Sequence, residues 1–197
     1  GFSFTQPIEM NTNDLLAVVL EQRDAHSAAV ALCNEIATRI GARRALLGVV
    51  RRRRVRLEAI SHTAWFDARN AAIGDVENLM EEALDQDATV CSPLLAGEAF
   101  CINVAHEDHR RAGGLDAVVS VPLPGREEQV AVLTLEFDAV PGAERLRWLE
   151  SVAMLAGLAL EDKLALRRWW AGRSAEMLRG FWRRMRMFAE RDLRVSV

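Results

Sequence analysis

Four side chains that can ligate a metal or attack an electrophile lie close together in the chain: Cys91, Cys101, His106 and His109. A thiolate is a nucleophile and a soft ligand, and a neutral imidazole is a common nitrogen ligand, so the set can be read as a Cys₂His₂ zinc centre or as a dithiol pair. The gaps of nine and four residues match no closed zinc site closely. Two buried cysteines and two loop histidines unrelated to metal are the simpler reading, because cysteine is among the most buried residue types. No metal and no cofactor is therefore expected.

Three further groups carry chemistry. His62, Trp65 and Phe66 follow a predicted strand, where an indole can stack on a planar ligand or simply close the sheet edge as core. Arg51, Arg52, Arg53 and Arg54 make a turn without glycine or asparagine, either a phosphate grip or a solvated hairpin tip held open by its own repulsion. The third group lies near the end. Trp169, Trp170, Phe181, Trp182 and Phe188 recur near helical spacing, with Arg173, Arg179, Arg183, Arg184 and Arg186 on the polar side. Such a basic, Trp-rich helix suits an anionic membrane surface, the alternative being a packing or coiled-coil extension of the helix before it.

These residues need a scaffold, and the chain has material for one core of ordinary size: 197 residues, half of them hydrophobic. Charge is unevenly spread. Residues 1–162 hold 15 arginines against 25 acids and residues 163–197 hold 10 basic against 3 acidic side chains, so net charges of −10 and +7 follow one another. The acidic body argues against a nucleic-acid partner. Three cysteines at uneven spacing fit a reducing compartment, and GFSFTQPIEMNTN has neither the basic start nor the apolar core of a signal peptide. The longest uncharged apolar run, residues 151–160, is far short of the roughly 20 residues a membrane span needs. A cytoplasmic location is expected.

Periodicity places the elements. Leu15–Leu20 is a short helix, and Asp24 or Ser27 caps a second that Gly41 ends. Residues 45–50 read as a buried strand, and Val55, Leu57 and Ala59 as its half-exposed partner. Residues 68–87 form an amphipathic helix with Glu77, Glu81, Glu82 and Asp85 opposite its apolar face. Ser92–Gly114 shows no sustained period. Two apolar runs, AVVSVPL and VAVLTLEF, are joined by PGREEQ, and PGAER then opens a long helix ending near Lys163.

This order, with SVPL followed by a VAVLTLE strand, resembles a GAF domain over residues 24–165. The resemblance implies an α/β (α+β) fold: an antiparallel sheet with the terminal helices on one face and an irregular loop/helix segment on the other. Residues 1–23 would be an N-terminal arm and helix, and 166–197 a basic tail. EALDQDATVCSP (82–93), AHEDHRRAGG (105–114) and VVSVPL (118–123) look like the GAF domain preceding the membrane span of HlyD-type membrane-fusion proteins. That likeness implies a non-catalytic regulatory module at the inner face of a bacterial inner membrane, in a secretion or efflux protein. GAF-type free methionine sulfoxide reductases carry two cysteines spaced like Cys91 and Cys101, but their third, nucleophilic cysteine would fall near Arg111, where this chain has none.

Two expectations follow. The last helix is apolar on more than one side, which implies a homodimer through it and the N-terminal helices. A cavity for a small molecule of unknown identity is expected among His62, Trp65, Phe66, Cys91, Cys101, His106, His109, Ser120 and Thr134.

Overall fold

A computed structural model describes residues 12–62, 70–94 and 101–192, of which 12–13, 70–72 and 168–192 are given as backbone alone. Both expected strand pairs form, and they join through their inner members. β1 (Arg44–Arg51) and β2 (Arg54–Ile60) make one hairpin, and β4 (Ala117–Pro124) and β5 (Gln129–Phe137) the other. With the short β3 (Val90–Ser92) at the far edge, the order is β2-β1-β5-β4-β3, antiparallel throughout. β4 and β5 are buried along nearly their whole length because helices cover both faces, which is why their sequences read as unbroken apolar runs and not as alternation.

Alternation nevertheless sorts their side chains. Ala45, Leu47 and Val49 of β1, Val119 and Val121 of β4, and Leu133, Leu135 and Phe137 of β5 share one core with α1 (Thr12–Glu21), α2 (Ala25–Ile40) and the sheet-packed part of α5 (Ala143–Asp192). Leu46, Val55, Val90 and Val132 point the other way, to Val76, Leu79, Met80 and Ala83 of α3 (Asn70–Gln86). Leu15 and Val19 of α1 are fully buried in the first core, and Lys163, the only lysine of the chain, donates to the carbonyls of Leu20 (2.8 Å) and Gln22 (2.6 Å) at the end of α1. α2 is capped as expected, Asp24 accepting from the Ser27 N–H and Gly41 closing it at φ +70°.

Four of the sequence expectations are refined or changed. First, Ser92–Gly114 contains a helix, α4 (Val104–Gly113), which carries no apolar stripe and so gives no periodic signal. Second, α5 does not end near Lys163 but continues as one helix to Asp192. Third, the glutamates of α3 are not simply solvated. Glu77 accepts from the Leu57 N–H (3.0 Å) and Arg56 (2.5 Å), and Glu81 from the Val55 N–H (3.2 Å) and Arg54 (2.9 Å), so together they cover the open edge of β2. Fourth, the arginine turn is tight. Arg52 and Arg53 sit at φ +52° and +63°, Arg51 faces Arg54 across the hairpin, and Arg51 pairs with Glu58. Among the described residues no helix is long and apolar enough to cross a membrane.

Candidate functional site

α4 lies over the sheet face opposite α5 and is held there by polar groups, His106 being its one buried residue. Among the described residues, Ser92, Ser120, Thr134 and Glu136 are buried polar side chains of that face, an unusual concentration on one side of a sheet. Register aligns them: Ser120 is opposite Thr134 and Val90, while Glu136 is opposite Val118 and Arg44. His106 Nε2 meets Ser120 Oγ at 2.7 Å, and Ser120 Oγ meets Thr134 Oγ1 at 2.7 Å. On the other side of the ring, Nδ1 lies 2.6 Å from Glu82 Oε2. A turn further along α4, His109 Nε2 reaches Glu136 Oε1 at 2.9 Å, and Arg44 grips the same carboxylate with two N–H groups at 2.6 and 2.8 Å. Glu107 bonds the Ser92 hydroxyl and is paired with Arg110 (2.8 Å) and Arg111 (2.6 Å).

α3 supplies the other half of the anchorage. The Glu82 carboxylate accepts the backbone N–H groups of Ala105 (3.1 Å) and His106 (3.2 Å), capping the start of α4, while Asn103 turns its side chain to the Cys91 carbonyl instead. Gln86 clamps Ile102 through both its N–H and its carbonyl, each at 2.7 Å. At the far end Gly114, at φ +59°, closes the helix.

Electrostatics follow from these contacts. Burial pushes the His106 imidazole below its ordinary range, with Glu82 opposing in part, so the ring is neutral near pH 7. Neutral His106 with its proton on Nδ1 donates to Glu82 and accepts from Ser120, and Thr134 in turn can donate to Ser120. Burial raises the Glu136 carboxyl, but the bonds from His109 and Arg44 outweigh it and hold it below the usual carboxylate value. Arg110 first, and then the Ser92 hydroxyl, hold Glu107 down to about 2.

The order Glu82, His106, Ser120 is that of a nucleophilic triad. The Ser120 hydroxyl is fully buried, between His106 and Thr134.

No family model matches the chain, and no curated protein does. Among solved structures, the GAF domain of an Acinetobacter phosphoenolpyruvate-protein phosphotransferase matches with a TM-score of 0.55 at 12% identity, over 81% of this chain and 96% of that one. The A. aeolicus nlh2 GAF domain, in an inactive state, matches at 0.56 and 11%, over 79% and 94%. This chain has a GAF-like fold. The Stigmatella aurantiaca phytochrome photosensory core module also matches, at 0.54 and 14%, over 77% of this chain and 36% of that larger one.

Within the GAF-like fold the predicted site residues divide. The structure brings His106, His109, Ser120 and Thr134 together in a hydrogen-bonded network between α4 and the sheet. Cys91 does not join them. Its partner in the ladder is Val119, and both belong to the core on the α5 side, whereas Cys101 packs on the α3 side. The two thiols therefore occupy opposite faces of the sheet, and Cys91 stands apart from the group under α4. His62 is exposed, and its backbone N–H is donated to Asn34 of α2 (2.7 Å), beside that helix and not under α4. Trp65 and Phe66 lie outside the described residues, as do the side chains of Trp169, Trp170, Arg179, Phe181, Trp182, Arg183, Arg184 and Arg186. Among the described residues, open grooves of about 590 and 500 Å³ flank the arginine turn, lined in common by Val50, Arg53, Glu127, Glu128 and Gln129.

Sequence reasoning missed Glu82, Gln86, Ser92, Glu107 and Glu136. Glu136 carried a signal: a carboxylate inside the apolar run VLTLEF needs a buried cation or hydrogen-bond donor.

Proposed function

We propose that this chain is a non-catalytic regulatory module that senses a small molecule between α4 and the sheet and relays its state through α5. The single observation behind this reading is the pair of elements flanking one sheet. On one side α4 is hung on hydrogen bonds and ion pairs. On the other, one continuous helix runs from the core into the basic segment. A helix held by polar contacts is exchangeable for a ligand offering the same bonds, and α5 is packed on β4 and β5, whose other face carries Ser120 and Thr134. Sheet and helix then shift together.

The same reading extends to assembly and place. Met154, Leu155, Leu158 and Leu166 of α5, with Leu20 of α1, are exposed large apolar side chains, and a homodimer would cover them. The Arg- and Trp-rich continuation of α5 would then lie on an anionic inner-membrane surface, as the likeness to HlyD-type membrane-fusion proteins implies, with the module cytoplasmic and serving secretion or efflux.

A fragment screen followed by amide NMR tests the sensing role. Bound fragments should shift resonances of α3, α4, β4 and β5 first, with smaller shifts along α5. If no compound perturbs those elements, the module has a dimerisation role without a ligand.

A further inference from the structure

Helices usually dock through apolar faces, whose attraction is indifferent to pH. α4 is an exception. Its one fully buried side chain is His106, and apart from Ala105, which packs on the α3-side core, the groups that tie its inward side to the body are hydrogen bonds and ion pairs. Where a helix is secured through a buried imidazole, adding a proton to that imidazole changes the docking itself.

The surroundings of His106 determine the direction. From α3 it faces the Glu82 carboxylate, from β4 the Ser120 hydroxyl, from β5 the Thr134 hydroxyl behind Ser120, and from α4 itself His109, which is engaged with Glu136 of β5 and through it with Arg44 of β1. Glu82 is the one counter-charge in direct contact, and it already accepts two backbone N–H groups besides the ring. Among the described residues, the partners of Ser120 are the His106 ring and the Thr134 hydroxyl, and neither is a carboxylate. A second ring proton would have to donate to Ser120, forcing Ser120 to donate to Thr134 and reversing both hydroxyls of the row.

We propose that α4 is a pH-gated latch: docked over the sheet while His106 is neutral, and released from Ser120 when His106 takes up a proton. This rests on the sensing role in one respect, since release would open the space where a ligand is to bind, but the latch itself stands on contacts within the chain. Gly114 at φ +59° caps the C-terminal end of α4, and Gln86 retains Ile102 at the other, so a released α4 stays tethered at both ends. The sign is that of a group whose pKa is lowered in the docked state. Docking is fully supported above the ordinary histidine value of 6.5 and is weakened as pH falls below it.

Hydrogen–deuterium exchange of the full chain at about pH 7.5 and about pH 5.5, with labelling times scaled to the intrinsic rate at each pH, reads the latch directly. Protection of residues 104–113 should fall roughly tenfold at the lower pH, the limit for one imidazole titrating at 6.5 when released, while β4 and β5 keep theirs. His106→Gln, which cannot take up a proton, should abolish the difference. Loss of less than about twofold in the unaltered chain, or a pH difference that survives in His106→Gln, overturns the proposal. If that variant does not fold, NMR of the unaltered chain decides instead: the His106 ring must titrate below 6.5 and in step with α4 exchange, and titration at the ordinary value overturns it. A latch that opens on acidification although no fragment binds would leave the latch standing and remove only the sensing role.

Discussion

Glu82 does more than any other single side chain to fasten α4. Its carboxylate receives two backbone N–H groups and the His106 ring, and its side chain is only 12% exposed. Truncation would leave the start of α4 and a buried ring nitrogen without partners, so Glu82→Ala should cost about 2–3 kcal/mol in urea unfolding, and Glu82→Gln about half as much. Acid should act at Glu136 as well. Its pKa is depressed in the folded chain, so its contribution is present above the ordinary 4.5 and is lost as pH falls below that value. Glu136→Gln should therefore flatten the fall in melting temperature below pH 4.5, a difference that calorimetry across an acid series would read. His106 was legible from its type and position. Its partner was not, because helical periodicity sorts apolar from polar residues and cannot say which glutamate of α3 faces water and which faces another helix.

Elements in this fold are shaped by what covers them. β2 is an edge strand, and the Val55 and Leu57 N–H groups that point outward are occupied by Glu81 and Glu77. The double variant Glu77→Ala/Glu81→Ala should keep the fold near room temperature but expose a pairing edge, giving earlier aggregation on heating in a light-scattering ramp. α5 makes a different demand. At Gly157 it passes so close to the end of β4 that a Cβ would stand 2.1 Å from the Pro124 carbonyl oxygen. Gly157→Ala should thus destabilise by about 1–3 kcal/mol, despite the better helix propensity of alanine, because backbone and not a yielding side chain is in the way. Strands and the apolar helices were readable because burial imposes a period on them. The bounds of α4 were unreadable for the opposite reason: its inward side is His106, Glu107, His109 and Arg110, which sets no apolar period.

At the scale of the whole molecule, α5 decides the behaviour. Fifty residues of continuous helix extend well beyond the core, and the stretch from Met154 to Leu166 keeps an apolar side away from the sheet. A pairing of two copies there should appear as a dimer at tens of micromolar in light scattering, and Met154→Glu/Leu158→Glu should return it to a monomer with an unchanged circular dichroism spectrum. Removing residues 169–197 should abolish binding to anionic liposomes and leave the body folded, because the described core side chains end at Leu164. Binding by the intact chain should weaken with added salt, as expected for charges screened over about 8–10 Å. Indifference to liposomes at low salt would make the continuation of α5 a packing element.

What the sequence determined by itself was the scaffold: two apolar strand pairs, a helix start at Asp24 or Ser27, the Gly41 stop, the α3 stripe and a long final helix, all of which follow from local backbone preference and from the periods that burial imposes. It also gave a charge division between body and tail that no folding can alter. Only the tertiary structure decided how the chemistry is distributed. The two-residue alternation of β3 sends Cys91 to the α5 side and Ser92 to the α4 side, so cysteines that look adjacent in sequence end on opposite faces, while Ser120, Thr134 and Glu136 meet beneath a helix from a different part of the chain. Strand register and helix docking are long-range pairings, fixed by which faces can be buried together, and a one-residue slip of a strand would send its own side chains to the other side of the sheet.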